Sequence, residues 1–209
     1  MDTAACLRNT YIYLFIGVII AIGILWLYTR LNVPVIGNNI WAVLLLLGIL
    51  IVLTIALSRT PSGPLKYALT VLWLLVICYL IYPLVKYLPQ NDVIKYFIIA
   101  LALFGLLTVI AHVFPPTFFL SWGKILMILL IIVIVIGVLG LFLFRNSRNF
   151  NLFYFILIIG LFSAFVLYDT QAIVKICQTN VKHDYINQSL GLFIDLVNIF
   201  AGVTGVSSI

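Results

Sequence analysis

The sequence contains no glutamate and only five aspartates among 209 residues, and charged residues of both signs make up 8% of the chain. An ordinary soluble domain has about 25% charged and about 45–50% apolar residues. This chain is 66% apolar. The scarcity of charge therefore excludes a soluble globular protein.

Basic residues are also few. The 11 lysines and arginines are spread singly or in pairs, so the net charge of +6 forms no basic run. Nucleic-acid recognition requires basic residues concentrated on one face. We therefore expect no nucleic-acid partner.

Cysteine is scarce and irregularly spaced. Cys6, Cys78 and Cys177 are odd in number and match no Cys-x-x-Cys or Cys/His metal pattern. The spacing thus indicates neither a disulfide framework nor a zinc site, and we expect no resident cofactor. Cys6 and Cys177 lie near the expected membrane interface, where cysteines are candidates for palmitoylation.

Long apolar runs are what the chain has in abundance. A helix needs about 20 apolar residues to cross a bilayer core of about 30 Å. Pro-containing or polar breaks separate seven such runs, which predicts an all-α integral membrane protein, a seven-helix bundle forming a single membrane domain over residues 1–209. The approximate spans are 11–28, 40–58, 67–85, 96–114, 125–144, 151–168 and 185–206.

The last run carries a regular polar stripe. Its members follow one another at steps of three or four residues, which places them on one face of a helix. Small and polar residues on a membrane helix face neighbouring helices, so helix packing is one explanation of the glycines. The stripe consists of Asp184, Gln188, Gly191, Asp195, Asn198, Gly202 and Gly205.

Two aspartates fall in or beside predicted spans. Asp195 lies in the middle of the seventh run and Asp169 at the inner end of the sixth. A carboxylate at the bilayer centre costs about 2.5–3.5 kcal/mol, so each should face protein or water. Two carboxylates from separate helices are hard ligands for calcium and can share one proton. For Asp169 alone, contact with interfacial water is the simpler alternative.

The C-terminal part resembles the Bax inhibitor-1 family. Tyr168-Asp169-Thr170-Gln171 is similar to the family's Y-D-T motif after its sixth helix. Asp184-Tyr185 and the segment Ser189–Phe200 (S-L-G-L-F-I-D-L-V-N-I-F) are similar to its D-Y and S-L-x-L-Y-L-D-I-I-N-L-F signature. Seven spans and an arginine ending the second run fit the family more loosely.

The resemblance implies a bundle around a central last helix, with Asp169 and Asp195 as a hydrogen-bonded, pH-responsive dyad through which calcium leaks. It implies that Arg59 pairs with the first aspartate as a gating latch; an ordinary interfacial arginine is the alternative. Asp184, Gln188 and Asn198 would support the pathway. The implied function is a calcium leak that lowers store calcium and restrains apoptosis in the endoplasmic reticulum or Golgi membrane, or in the plasma membrane of a bacterium. The partners would be the lipid bilayer, calcium and membrane proteins of the cell-death machinery.

The chain departs from the family in lacking acidic residues in the second and third spans and a basic C-terminal tail. Its short termini suggest a minimal member, of the kind that a virus captures.

Two other functions compete. A non-transporting interaction protein would use the aspartates only for helix packing. A presenilin-like aspartyl protease would use them for catalysis, but such enzymes carry Gly-x-Gly-Asp, which the residues before Asp195 (L-F-I) do not match, and no proline follows Pro116. We therefore expect a protein that is not an enzyme.

Overall fold

The computed structural model describes residues 3–35, 39–144, 147–179 and 184–207. Within these ranges the chain is helical and has no β-strand. Seven helices in the described part of the chain are long and apolar enough to cross a membrane. This confirms the predicted all-α, seven-span fold class. The α-helices are α1 (Thr3–Arg30), α2 (Ile40–Arg59), α3 (Pro64–Lys86), α4 (Gln90–Val113), α5 (Gly123–Leu143), α6 (Arg148–Cys177) and α7 (Tyr185–Ser207), and a 3₁₀ helix (Phe119–Trp122) precedes α5.

Local sequence signals set several helix ends. The side chain of Asn39 caps α2 by accepting hydrogen bonds from the backbone N–H groups of Trp41 (3.1 Å) and Ala42 (3.3 Å). Pro64 opens α3 at the first helical position, where a missing N–H removes no helical hydrogen bond.

Three helices extend beyond their apolar runs. α1 begins at Thr3 rather than at residue 11, α4 begins at Gln90 rather than at residue 96, and α6 continues from residue 168 to Cys177. A span defined by apolar residues stops at the first polar ones. α6 continues because Thr170 and Gln171 are buried against other elements. Asp169 consequently lies inside α6, about two turns before its end.

The chain divides into two compact units. The first comprises residues 3–11 of α1 together with α4, the 3₁₀ helix, α5, α6 and α7. In it, α6 and α7 pack together, α4 packs against both, and α5 packs against α6. Over an 18-residue apolar window, 67% of α7 is buried, whereas among the described residues no other span exceeds 28%. α7 is therefore the core helix of this unit.

The second unit comprises residues 12–30 of α1 with α2 and α3. α2 packs against α3, and the Trp73 indole N–H donates to the Thr54 hydroxyl at 2.9 Å. The ammonium group of Lys66 is fully buried and donates to the carbonyls of Leu57 and Thr60, each at 3.0 Å. Since the last carbonyls of a helix have no partner within the helix, Lys66 satisfies the C-terminal end of α2.

Candidate functional site

Glycines on α7 allow a close approach of α6. A Cβ atom at Gly202 would lie 2.6 Å from Cγ1 of Ile159, and one at Gly205 would lie 2.5 Å from the ring of Phe155. Real Cβ contacts are essentially never so short. Helix packing therefore accounts for these two glycines of the polar stripe.

The third glycine of the stripe adjoins a carboxyl group. A Cβ atom at Gly191 would lie 2.6 Å from Oδ2 of Asp169. The Asp169 carboxyl thus rests against the backbone of α7 at a place where a larger residue would displace it. Gly191 positions this carboxyl group as well as the helix.

The two intramembrane aspartates meet between α6 and α7. The side chains of Asp169 and Asp195 are in hydrogen-bonding contact. Asp195 is only 3% exposed, and Asp169 is partly buried. Oδ2 of Asp195 is buried and has no hydrogen-bond partner among the described residues.

A hydrogen bond between two carboxyl groups requires a proton. An ionised carboxylate has only acceptor oxygens, so one member of the pair must carry a hydrogen for the contact to form. Removing that proton would place two negative charges in contact, which is unfavourable in a buried site. The arrangement can therefore exist in at least two protonation states with different geometry.

Three consecutive residues of α6 face three different elements. Asp169 faces α7, the fully buried Thr170 faces α1, and Gln171 faces the connection between α4 and α5. The hydroxyl of Thr170 approaches that of Tyr11, although neither atom completes a hydrogen bond within the described part of the chain. This stretch of α6 is surrounded on three sides.

Gln171 fixes the connection between α4 and α5, a role that the sequence did not reveal. Its side-chain carbonyl accepts from the backbone N–H of Phe119 at 2.8 Å. Its amide group donates to the carbonyls of Ala111 (3.1 Å) and Pro115 (2.8 Å). Gln171 is 1% exposed. Its position two residues after Asp169, just beyond the sixth apolar run, was the available signal.

Two of the predicted supporting residues make local contacts. Asp184 accepts from the backbone N–H of Asn187 at 3.2 Å and from its side-chain amide at 3.0 Å, at the start of α7. Asn198 donates to the carbonyl of Ile194, one turn earlier in α7, at 2.9 Å. Both lie on the stripe, and the contacts described here are with α7 itself.

The N-terminal turns of α1 are attached to α6 and α7. The Thr10 hydroxyl donates to the side-chain carbonyl of Gln188 at 2.8 Å, so this predicted supporting residue does reach another helix. Cys6 and Cys177 form a disulfide bond. This corrects two expectations, because the spacing indicated no disulfide and a bonded cysteine has no thiol for palmitoylation. The partners are 171 residues apart, and only the tertiary fold brings them together.

Arg59 ends α2 in the second unit, and its side chain is exposed. Its role as a gating latch stays a prediction.

The carboxyl pair offers few ligands for a metal ion. No group of three or more His, Cys, Asp or Glu side chains lies close enough to hold one among the residues that the structure describes. Two carboxyl groups supply at most four oxygens, whereas calcium takes 6–8.

The Bax1-I family model, described as "Inhibitor of apoptosis-promoting Bax1", matches residues 3–204. The chain belongs to the Bax inhibitor-1 family. This match covers nearly the whole chain and confirms the resemblance seen in α6 and α7. Membership supports an anti-apoptotic membrane protein, and proteins of this family are generally non-enzymatic. No individual curated protein matches the chain in sequence.

Proposed function

We propose that the protein is a pH-sensitive calcium leak of an intracellular membrane, the endoplasmic reticulum or the Golgi, that lowers store calcium and thereby restrains apoptosis. The observation that carries this proposal is the contact between the carboxyl groups of Asp169 and Asp195 between two membrane-spanning helices. The anti-apoptotic part comes from the family.

Helix packing alone does not account for the pair. Placing a carboxyl group within a membrane is unfavourable by a few kcal/mol, and apolar side chains of similar size would pack these helices without that penalty. Oδ2 of Asp195 is buried with no described partner, which adds a further cost. Such a costly arrangement is typical of a functional site.

The small number of ligand oxygens favours conduction of calcium over its stable binding. Carboxylate oxygens are the hard ligands that calcium prefers, but the pair supplies only part of a complete shell. Water would have to provide the remaining ligands. A calcium ion held in this way binds weakly and leaves readily, as conduction requires.

Proton and cation compete for the same oxygens. When the pair shares a proton it carries at most one negative charge and is held together by a hydrogen bond. Loss of the proton adds a charge and removes that bond, so both the attraction for calcium and the contact between α6 and α7 change. The flux should therefore depend on pH.

The test is calcium flux through the purified protein in liposomes between about pH 5 and pH 8, a range that spans physiological compartments. We expect flux in the native chain that changes with pH, and a loss of flux or of its pH dependence in Asp169→Asn and in Asp195→Asn. Asp92→Asn is the matched control, because Asp92 lies in the first turn of α4 and outside the pair.

Arg59→Gln tests the predicted gating latch and should raise the resting flux.

Two results would overturn the proposal. One is no flux above that of empty liposomes at any pH, in which case an interaction protein becomes the better description if both Asp→Asn variants still protect cells. The other is flux that both variants conduct with an unaltered pH profile.

A further inference from the structure

We propose that the disulfide bond between Cys6 and Cys177 is a redox latch that holds residues 3–11 of α1, here called the α1 strap, against the ends of α6 and α7 beside the carboxyl pair. Reduction of the bond releases the strap. The expected consequence for ion flux rests on the leak function proposed above, whereas the latch itself is testable without it.

The covalent link lies close to the candidate site along α6. Cys177 is the last residue of α6, eight residues after Asp169, which is about two helical turns. The sulfur it binds belongs to Cys6 in the first turn of α1. Oxidation therefore fixes the start of α1 to the same end of α6 that carries the carboxyl pair.

The polar contacts of the α1 strap adjoin the pair on both helices. Thr10 lies one turn beyond Cys6 and donates to Gln188 of α7, three residues before Gly191. Tyr11 approaches Thr170, the immediate neighbour of Asp169. Movement of the strap thus disturbs the residues next to Asp169 on α6 and next to Gly191 on α7.

These polar contacts are too weak to hold the strap by themselves. The contact of Thr10 with Gln188 is a hydrogen bond between neutral groups, which contributes little net stability. The hydroxyls of Tyr11 and Thr170 are buried without completing a hydrogen bond within the described residues, so water would satisfy both better once the strap moves away. The covalent bond opposes that movement.

The redox step is an ordinary thiol–disulfide exchange with a dithiol as the reductant. One thiolate of the dithiol attacks one sulfur of the bond, forming a mixed disulfide, and the departing cysteine takes up a proton. The second thiol of the reductant then displaces the remaining cysteine, leaving two protein thiols and one oxidised dithiol. Cys6 is 0% and Cys177 is 3% exposed, so attack requires the strap to open, and the rate of reduction reports that opening.

The first measurement counts thiols. The protein is denatured and alkylated with and without prior reduction, and its mass is determined. One alkylated cysteine without reduction, namely the free Cys78, and three after it are the expected result. Three alkylated cysteines without reduction would show that the bond is absent and would overturn the proposal.

The second measurement compares amide hydrogen exchange and calcium flux of the oxidised and reduced protein in lipid. We expect reduction to speed exchange in residues 3–11 by at least about tenfold while α5 stays unchanged, and to raise the flux. Cys6→Ser should behave as the reduced form with or without reductant. Cys78→Ser, which leaves the bond intact, should respond to reductant as the native chain does. Thr10→Val should accelerate reduction of the oxidised protein.

The outcomes separate the two proposals. Unchanged exchange in residues 3–11 overturns the latch. Faster exchange throughout the chain, α5 included, also overturns it, because the bond would then hold the whole fold rather than the strap. Faster exchange confined to the strap with no flux in any form supports the latch and refutes the leak.

Discussion

The contact between Gly191 and Asp169 yields the sharpest prediction. Gly191→Ala adds one carbon atom 2.6 Å from Oδ2 of Asp169, a distance shorter than real Cβ atoms essentially ever show. The carboxyl group must move, but its hydrogen-bonding contact with Asp195 and the packing of α6 on α7 oppose that movement. The substitution therefore acts on the carboxyl pair without removing either carboxyl.

The change that Gly191→Ala causes in the free energy of unfolding has two opposing contributions. Forcing an extra methyl group into a packed contact costs about 1–3 kcal/mol. Replacing a mid-helix glycine by alanine recovers roughly 0.5–1 kcal/mol. Gly191→Ala should thus lower the free energy of unfolding by about 0–2.5 kcal/mol relative to the native chain.

Two other glycines serve as controls. Gly160→Ala in α6 meets nothing within 4 Å, so it should show only the gain of roughly 0.5–1 kcal/mol. Gly202→Ala clashes with Ile159 and approaches the backbone carbonyl of Phe155 at 3.2 Å, away from both aspartates. It should destabilise the protein as strongly as Gly191→Ala, without acting on the carboxyl pair.

The assay combines unfolding in mixed detergent micelles with calcium flux as a function of pH. We expect Gly191→Ala and Gly202→Ala to unfold more readily than Gly160→Ala, and only Gly191→Ala to shift the pH profile of the flux. If Gly191→Ala were as stable as Gly160→Ala, the tight approach of α7 to Asp169 would be refuted. An identical pH shift in Gly202→Ala would refute the assignment of that shift to the carboxyl pair.

Two further predictions concern residues that hold the site in place. Gln171→Leu should lower the free energy of unfolding by at least about 1–3 kcal/mol, because it leaves the buried N–H of Phe119 and the buried carbonyl of Ala111 without the partner that Gln171 supplies, whereas the Pro115 carbonyl still accepts from the N–H of Phe118. Gln178→Leu at the exposed end of α6 should change the free energy of unfolding by less than about 0.5 kcal/mol. Equal effects in the same unfolding assay would contradict the role of Gln171. Asp184→Ala should lower the free energy of unfolding by about 0.5–2 kcal/mol because it removes a helix cap, whereas Asp184→Asn should retain most of the stability. Both variants should retain the native flux. A loss of flux in folded Asp184→Asn would instead place Asp184 in the ion path.

The sequence predicts the helices better than their ends. Apolar runs of sufficient length fix the number of spans, because a bilayer imposes the same length on each. The runs do not reveal that α6 continues through Thr170 and Gln171. Those residues are polar, and they stay helical because other elements bury them and, for Gln171, supply its hydrogen bonds. Such tertiary compensation has no signature in hydropathy.

The candidate site, like the helices, could be predicted from the sequence only in part. The cost of a buried carboxyl group singles out Asp169 and Asp195 from the sequence alone, and the stripe spacing places Gly191 beside them. The disulfide could not be inferred in the same way, because Cys6 and Cys177 are adjacent only after α1 and α6 have packed.

Because acidic residues are scarce, few groups could cause a pH dependence of the flux. Asp92 and Asp184 lie at the starts of α4 and α7, and Asp2 lies outside the described residues, as does His183. Among the described residues, Asp169 and Asp195 are therefore the acids that lie away from the helix starts, and His112, exposed at the end of α4, is the histidine. His112 is exposed and belongs to neither α6 nor α7, so His112→Gln should leave the pH profile of the flux unchanged if the pair alone sets it. A profile that His112→Gln removes and Asp195→Asn leaves intact would place the pH response at the end of α4 instead of between α6 and α7.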